Sequence, residues 1–156
     1  MKTFKDTEYG DLTGQTYDGS ILIRNMGLDS LQGAPKHIKG SIKLSNNNFV
    51  DLKGSPEIVD GNFDIQVNKR LVSFEGAPTS IGGTFNCYGT DNVKNQLEQI
   101  IMYRIKAHYY YTNDGDYYFE DIADKFNAYD NRVKSKGFRT LLGLKKWNLK
   151  TLNMGT

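Results

Sequence analysis

The chain has 156 residues, which is enough for one domain or for two small units that share an interface. Hydrophobic residues make up only 38% of it, a composition that favours a thin repeat array over a domain with one thick core. No segment approaches the ~18 consecutive apolar residues of a membrane span, and the N-terminal residues lack the apolar stretch of a signal peptide. The single cysteine, Cys87, permits no internal disulfide, so we expect a cytoplasmic protein.

Charge is distributed unevenly along the chain. The formal net charge is +2, but residues 1–130 hold 18 acidic and 13 basic residues, and residues 131–156 hold no acidic residue. A basic end on an acidic body indicates either a contact with nucleic acid or an internal electrostatic match, and the sequence leaves both alternatives open. The basic residues of the C-terminal segment are Arg132, Lys134, Lys136, Arg139, Lys145, Lys146 and Lys150.

A Gly-x-Pro tripeptide occurs three times, at residues 33–35, 54–56 and 76–78. Counted from each proline, an apolar residue follows at +3, a glycine at +5, and apolar residues at +7 and +9. A pattern that returns every 21 or 22 residues is an internal repeat. The residues at these four positions are Ile38, Val59 and Ile81; Gly40, Gly61 and Gly83; Ile42, Phe63 and Phe85; and Leu44, Ile65 and Cys87.

Each repeat predicts a short strand, because positions +3 to +9 alternate between an apolar and a polar side. The glycine at +5 predicts a tight bend, and the proline predicts a turn. Asparagines near +11, Asn46 and Asn68, predict either ordinary turns or a stack of asparagines that bond neighbouring coils. This alignment leaves one extra residue between Ile65 and Asn68, which we expect to form a bulge or a wider corner. Cys87 stands at an apolar position and is predicted to be a core residue.

The repeat pattern extends back to Gly14, so the array is predicted to cover residues 14–89, with about 3.5 repeats. Residues 1–13 are then an N-terminal cap, and residues 90–156 a helical, tyrosine-rich unit with a basic tail. One coil cannot bury its own apolar side, whereas stacked coils can, and both ends of the stack need caps. We therefore expect an α+β protein, a short right-handed β-solenoid with parallel strands, capped by a C-terminal helical unit.

The repeat resembles the leucine-rich-repeat-like units of accessory proteins from tailed bacteriophages. The residues that carry the resemblance are Leu28–Asn47 and, less regularly, Phe49–Asn68, and the likeness extends over residues 12–89. It brings no catalytic residues to this chain. It implies a non-enzymatic protein that binds a host protein in the bacterial cytoplasm and inhibits a defence or regulatory factor.

The period changes after Thr90. A stripe of apolar residues from Val93 to Ile105 predicts a helix that begins after Thr90 or Asp91 and ends near His108. The aromatic stretch 109–119 surrounds an Asn-Asp-Gly turn signal and predicts either a hairpin or a loop between helices. A second helix is predicted at about 118–132, and Gly137 is expected to separate it from a third at 138–144.

Few residues suggest catalysis or metal binding. The two histidines, His37 and His108, lie in different units, and we expect a solvent-facing residue and a helix-end contact, respectively. No cluster has the spacing of a metal site, so we expect neither a metal nor a cofactor. The acidic residues Glu120, Asp121 and Asp124 could serve a hydrolase or nuclease, but carboxylates near a helix start also complement its dipole.

Two surfaces are candidates for binding a protein partner: the outward side of the repeat strands and the tyrosine-rich region. Tyrosine combines a large apolar area with a polar tip, which suits interfaces, although we expect about half of these tyrosines to be buried. The alternative is a nucleic-acid contact through the basic segment with Trp147. The candidate partner-binding residues are Arg24, Lys43, Asp64, Tyr88, Tyr109, Tyr110, Tyr111, Tyr117 and Tyr118, and the candidate nucleic-acid residues are Arg132, Lys134, Lys136, Arg139, Lys145, Lys146 and Trp147.

Overall fold

The computed structural model describes the backbone of residues 1–141 and the side chains of residues 1–134. It is a parallel β-solenoid of about four turns followed by a C-terminal helix, so the predicted solenoid is confirmed. Besides a short 3-10 helix, Phe4–Asp6, there are nine strands and two helices in the described residues. The strands are β1 Thr16–Tyr17, β2 Ile21–Leu22, β3 His37–Ile38, β4 Ile42–Lys43, β5 Ile58–Val59, β6 Phe63–Asp64, β7 Ser80–Asn86, β8 Lys106–Tyr111 and β9 Asp116–Tyr118, and the helices are α1 Gln96–Met102 and α2 Phe119–Leu141.

Each of the first three coils contributes two short strands on either side of a bend. The strands before the bend stack in the order β1-β3-β5, those after it stack as β2-β4-β6, and β7 continues both stacks. The register follows the repeat, since Ile42 lies beside Ile21 and Phe63 beside Ile42. The apolar repeat positions are buried in one continuous core, as the period predicts. Cys87 is fully buried among them, as expected.

The glycine at the bend is required because neighbouring coils approach closely there. A Cβ on Gly40 would lie 2.5 Å from the carbonyl oxygen of Gly19, and one on Gly61 would lie 2.9 Å from that of Gly40. Neither distance is possible for a real side chain without displacement of the backbone. The bend expected from the sequence is therefore also a point of close contact between coils.

Asparagines do stack between coils, as one of the two alternatives predicted. The predicted Asn46 donates from its side chain to that of Asn25 on the surface, while a second, buried stack contains Asn47 and the predicted Asn68. Asn47 and Asn68 are buried, while Asn46 is exposed in the left-handed region with φ 55°. The Asn68 side chain accepts a hydrogen bond from the backbone N–H of Asn47, at 2.9 Å, and donates to the carbonyls of Leu44 and Ile65. Because Asn47 and Asn68 are equivalent and 21 residues apart, the predicted insertion before Asn68 is wrong. The extra residue follows Asn68, in the turn before Leu71.

The N-terminal residues cover the first coil. Phe4 is fully buried in the core, and its N–H donates to the carbonyl of Ser30. The Tyr9 hydroxyl accepts a hydrogen bond from the N–H of Leu22. This backbone donor lies on the outer edge of β2, where no further strand of residues 1–141 pairs with it. These contacts fill the end of the core that the first coil would otherwise expose.

The C-terminal end of the solenoid differs from the helix that the sequence predicts there. Helix α1 ends at Met102, because residues 106–111 form β8, which continues the parallel stack beside β7. The N-cap of α1 is Asn95, whereas Thr90 is buried and donates to the carbonyl of Cys87. His108 accordingly lies in a strand and not at a helix end.

The hairpin alternative for the aromatic stretch is confirmed, because β9 pairs antiparallel with β8 through a turn at residues 112–115. The second predicted helix is present as α2, but it runs through Gly137 without a break to Leu141. Ile122, Phe126 and Tyr129 of α2 are buried against the last coil, so this helix closes the core. Residues 142–144 of the third predicted helix lie outside the described residues.

Candidate functional site

The outer side of the sheet carries two parallel rows of mostly polar residues that end in tyrosines. Directly after the bend, Ser20, Ser41 and Asn62 each accept a hydrogen bond from the next coil, through the N–H groups of Ser41, Asn62 and Thr84. Two residues further along, register pairs Leu22, Lys43, Asp64, Asn86 and Tyr111. The first row therefore holds the coils together, while the second presents its side chains to solvent.

Three tyrosines meet where these rows end, and we call Tyr109, Tyr111 and Tyr118 the tyrosine face. Tyr109 lies opposite Tyr118 in the β8–β9 pair, and their ring centroids are 4.7 Å apart. The rings of Tyr109 and Tyr111 are 5.1 Å apart. Both contacts are edge-to-face, the geometry that aromatic quadrupoles favour. Tyr111 and Tyr118 remain 44% and 51% exposed, so the cluster presents aromatic surface to solvent.

A carboxylate stands beside this cluster. Asp116 is the strand partner of Tyr111 and is exposed. Desolvation, followed by the negative charge of Asp116, raises the pKa of Tyr109. Its phenol therefore stays protonated at neutral pH.

An open groove of about 430 Å³ adjoins the sheet at the turn after β7. Tyr88, which is 59% exposed, and Lys69 line it together with Asp91 and Asn113. Asn113 donates to Asp91 and accepts from the N–H of Gly89, so it joins the last two coils. Tyr88, which was predicted to bind a partner, therefore lies at the same end of the molecule as the tyrosine face.

Two of the predicted partner-binding tyrosines point inward. Tyr110 is fully buried, its hydroxyl donates to the carbonyl of Ile105 and accepts from the N–H of Ala107, and burial raises its pKa to about 12. Tyr117 lies opposite Tyr110 on the same side of the hairpin and packs partly against the core. Tyr110 and Tyr117 were predicted to bind a partner, but side chains alternate along a strand, so the neighbours of outward residues face inward.

Arg24, Lys43 and Asp64 lie on the outer side of the earlier coils. Arg24 and Lys43 are exposed and Asp64 is partly exposed. Asp64 accepts hydrogen bonds from the backbone and side-chain amides of Gln66. Lys43 is three levels of the stack from Tyr111, about 14 Å at the usual strand spacing. Lys43 therefore lies apart from the tyrosine face.

The acidic cluster lies at the start of α2. Glu120, Asp121 and Asp124 are exposed, and Asp121 accepts a hydrogen bond from the N–H of Tyr118. Among the described residues, no group of three or more histidine, cysteine or acidic side chains is placed to hold a metal ion. These carboxylates lie in the first turns of α2, where negative charge stabilises the N-terminus of a helix.

The basic segment is only partly described. Arg132 and Lys134 lie on α2, Arg132 partly exposed and Lys134 exposed. Lys136 and Arg139 belong to the same helix by their backbone. Lys145, Lys146 and Trp147 lie outside the described residues. The nucleic-acid alternative therefore stays a prediction.

Sequence reasoning missed two buried glutamines of α1. The Gln99 side chain accepts from the N–H of Phe74, and that of Gln96 accepts from the N–H of Asn113, each at 2.8 Å. Gln96 also donates to the carbonyl of Cys87, as Asn68 does to that of Ile65, so in the last coil it takes the role of the repeat asparagine. The polar character of the two glutamines at otherwise apolar helix positions was the available signal.

In comparisons with known proteins, no family model, no curated protein and no solved structure matches the chain. No helix in the described part of the chain is long and apolar enough to cross a membrane. The fold and the site thus define a β-solenoid with an exposed aromatic face at its C-terminal end.

Proposed function

We propose that this chain is a non-enzymatic binding protein that engages another protein through the tyrosine face. The observation that carries the proposal is the exposure of Tyr111 and Tyr118 on a strand pair that is fixed to the last coil. Tyrosine contributes contact area and a hydrogen-bonding tip, with only two side-chain torsions to immobilise. Binding by such residues costs little conformational entropy.

The scaffold supports binding more than catalysis. The sheet on which the tyrosines stand continues without interruption into the solenoid, so the rings are held in a fixed arrangement before any partner arrives. The Cys87 thiol is buried, and burial raises its pKa, which disfavours a nucleophile. Asp121 is engaged at the start of α2, which favours a structural role for the acidic cluster over hydrolysis.

We also propose that the repeat is of the leucine-rich-repeat-like type and that the protein is a phage accessory protein whose partner is a host factor in the bacterial cytoplasm. The buried rows of leucine, isoleucine and phenylalanine and the stacked asparagines support the repeat type. The phage origin and the inhibition of the host factor rest only on the resemblance carried by Leu28–Asn47 and Phe49–Asn68.

Site-specific photocrosslinking tests the binding proposal. A photoreactive phenylalanine analogue replaces Tyr118, and in a control it replaces Val72, which is 56% exposed on a different part of the solenoid. We expect one protein from a bacterial lysate to be crosslinked at position 118 only, and the Tyr111→Ala substitution to weaken that product. Equal labelling at both positions, or a product that Tyr111→Ala leaves unchanged, would contradict the proposal.

A further inference from the structure

The surroundings of the tyrosine face indicate what kind of group it binds. We propose that it takes the guanidinium of an arginine in an exposed basic segment of the partner protein. This inference rests on the proposed function and specifies the chemistry of the partner. The rings of the tyrosine face supply negative π surfaces, and Asp116, the strand partner of Tyr111, supplies a carboxylate beside them.

The chain already contains this combination once, with its own arginine in place. The guanidinium carbon of Arg104 lies 5.5 Å from the ring centroid of Tyr129, and one of its terminal nitrogens lies 2.8 Å from Asp130. Arginine is thus held between a tyrosine ring and the carboxylate of the next residue. The tyrosine face offers the same two groups on adjacent strands, and Asp116 belongs to none of the ion pairs of the described residues.

The charges around the face complement a basic partner. Asp91, Asp114 and Asp116 lie on the turns and the strand that border it, and Asp121 follows Tyr118 at the start of α2. The basic residues of these elements are Lys106 at the far end of β8, Lys69 on the groove and Lys94 three residues after Asp91, while His108 contacts Tyr118 edge-on. Further along α2 lie Lys125, Arg132, Lys134, Lys136 and Arg139. The excess of acidic residues in 1–130 extends the same sign over the body. Such a field attracts cationic segments and disfavours phosphate backbones.

A planar guanidinium suits the face better than an ammonium does. It stacks on aromatic rings while its N–H groups form a fork that matches a carboxylate. A lysine ammonium is a strongly hydrated point charge, which loses more hydration when it contacts a ring. We therefore expect discrimination between two peptides of equal charge.

Isothermal titration calorimetry with defined peptides tests this assignment on the full chain. The probes are (Arg-Gly)5, (Lys-Gly)5 and (citrulline-Gly)5, where citrulline keeps the shape of arginine without its charge. We expect Kd to be about tenfold higher for the citrulline peptide and about threefold higher for the lysine peptide. Kd values within twofold of that for the arginine peptide, for either probe, would overturn the assignment.

Matched variants place the binding on the face. Asp116→Asn removes the carboxylate charge, and Tyr111→Ala with Tyr118→Ala removes two rings; each change should raise the Kd for (Arg-Gly)5 about fivefold or more. Leu22→Ala is the control, because Leu22 is 47% exposed in the same outer row as Tyr111 at the opposite end of the stack. Circular dichroism verifies that the variants fold. An unchanged Kd in Asp116→Asn would overturn the proposal even if the tyrosine double variant failed to fold.

The same calorimetric experiment also distinguishes an arginine segment from other ligands that could occupy the tyrosine face. Tighter binding of a 20-residue oligothymidine than of (Arg-Gly)5 would show a nucleic-acid site. Peptide binding that appears only after Lys145→Ser and Lys146→Ser would identify the chain's own basic segment as the occupant, and self-association abolished by Tyr111→Ala would identify a second copy. Each of these results overturns the proposal. A crosslinked partner that shows no arginine preference would overturn it while leaving the proposed function intact.

Discussion

At the scale of the residue, buried polar side chains hold the coils in register. Asn47 donates to the carbonyls of Ile23 and Leu44 and accepts from the N–H of Leu28, so one side chain bonds two coils. An unpaired backbone group in the core is costly, because it has lost its water without gaining a partner. These asparagines therefore complete the backbone hydrogen bonding at corners where no strand exists.

Asn68→Ala should lower the free energy of unfolding by about 3 kcal/mol, because it leaves the N–H of Asn47 and the carbonyl of Ile65 without their partner. Asn48→Ala is the control at a partly exposed position, with an expected change within about 0.5 kcal/mol. Urea denaturation followed by circular dichroism measures both. Equal midpoints for the two variants would show that the asparagine stack contributes nothing.

Tyr110 gives the protein an alkaline limit. Its pKa is raised to about 12 by burial, whereas an unfolded tyrosine titrates near 10. The neutral form is favoured in the folded state, so this contribution to stability is complete below about pH 10 and is lost as the pH rises to about 12. Thermal denaturation between pH 9 and pH 12 should show a fall in Tm that is smaller in Tyr110→Phe. Parallel curves for both proteins would be inconsistent with a buried phenol at this position.

Cys87 should be inert while the protein is folded. The side chain is fully buried, and burial raises the pKa of the thiol, so the reactive thiolate is scarce and inaccessible. We expect a maleimide to label the native protein at least a hundredfold more slowly than the same protein in denaturant. The denatured sample is the internal control, and rapid labelling of the native protein would contradict the position of Cys87 in the core.

At the scale of the element, a corner can require glycine for two reasons: a positive φ angle and the close approach of the neighbouring coil. Gly76 adopts φ +90°, a conformation that L side chains rarely take, and a Cβ there would fall well inside contact distance of the Lys53 backbone. Gly14 adopts φ +75° in open space. The two positions therefore separate the cost of the dihedral angle from the cost of the contact.

Gly14→Ala should cost about 1 kcal/mol of folding free energy, which is the penalty of the left-handed conformation. Gly76→Ala should cost at least about 2 kcal/mol more, because the backbone of the neighbouring coil must also move. Chemical denaturation of both variants measures the difference. Equal costs would mean that the coils are not in close contact at this corner.

The sequence was informative about elements wherever the repeat persisted. The alternation from Ile38 to Leu44 is local, so it predicts both the strand and its buried side. After Thr90 the same local rules predicted one helix too long, because the apolar stripe continues through Ile105 although the helix ends at Met102. Pairing with β7 decides this segment, and a contact between residues 25 apart in the chain leaves no local period. For the same reason the burial of Tyr110 could not be distinguished from the exposure of Tyr111.

At the scale of the whole molecule, the chain is a stack in which each coil contacts its neighbours, so stability depends on the ends as much as on the middle. Phe4 closes one end of the core, and α2 closes the other with Phe126. Phe126→Ala should lower the free energy of unfolding by about 3 kcal/mol, whereas Asp124→Ala, on the exposed side of α2, should change it by less than about 0.5 kcal/mol. Thermal unfolding compares the two, and similar Tm values would show that α2 does not cap the core.

The sequence by itself determined that this protein is a repeat solenoid, because a period of 21 or 22 residues sets which side chains can stack. It also determined the outward polar rows, since alternation along a strand is a local property. Only the tertiary structure decided where the stack ends and which aromatic residues remain exposed. Strand β8 joins the stack across an intervening helix, and β9 folds back on it, so Tyr109, Tyr111, Tyr118 and Asp116 meet through pairing between strands. That pairing is nonlocal, and for this reason the tyrosine face emerges only from the folded chain.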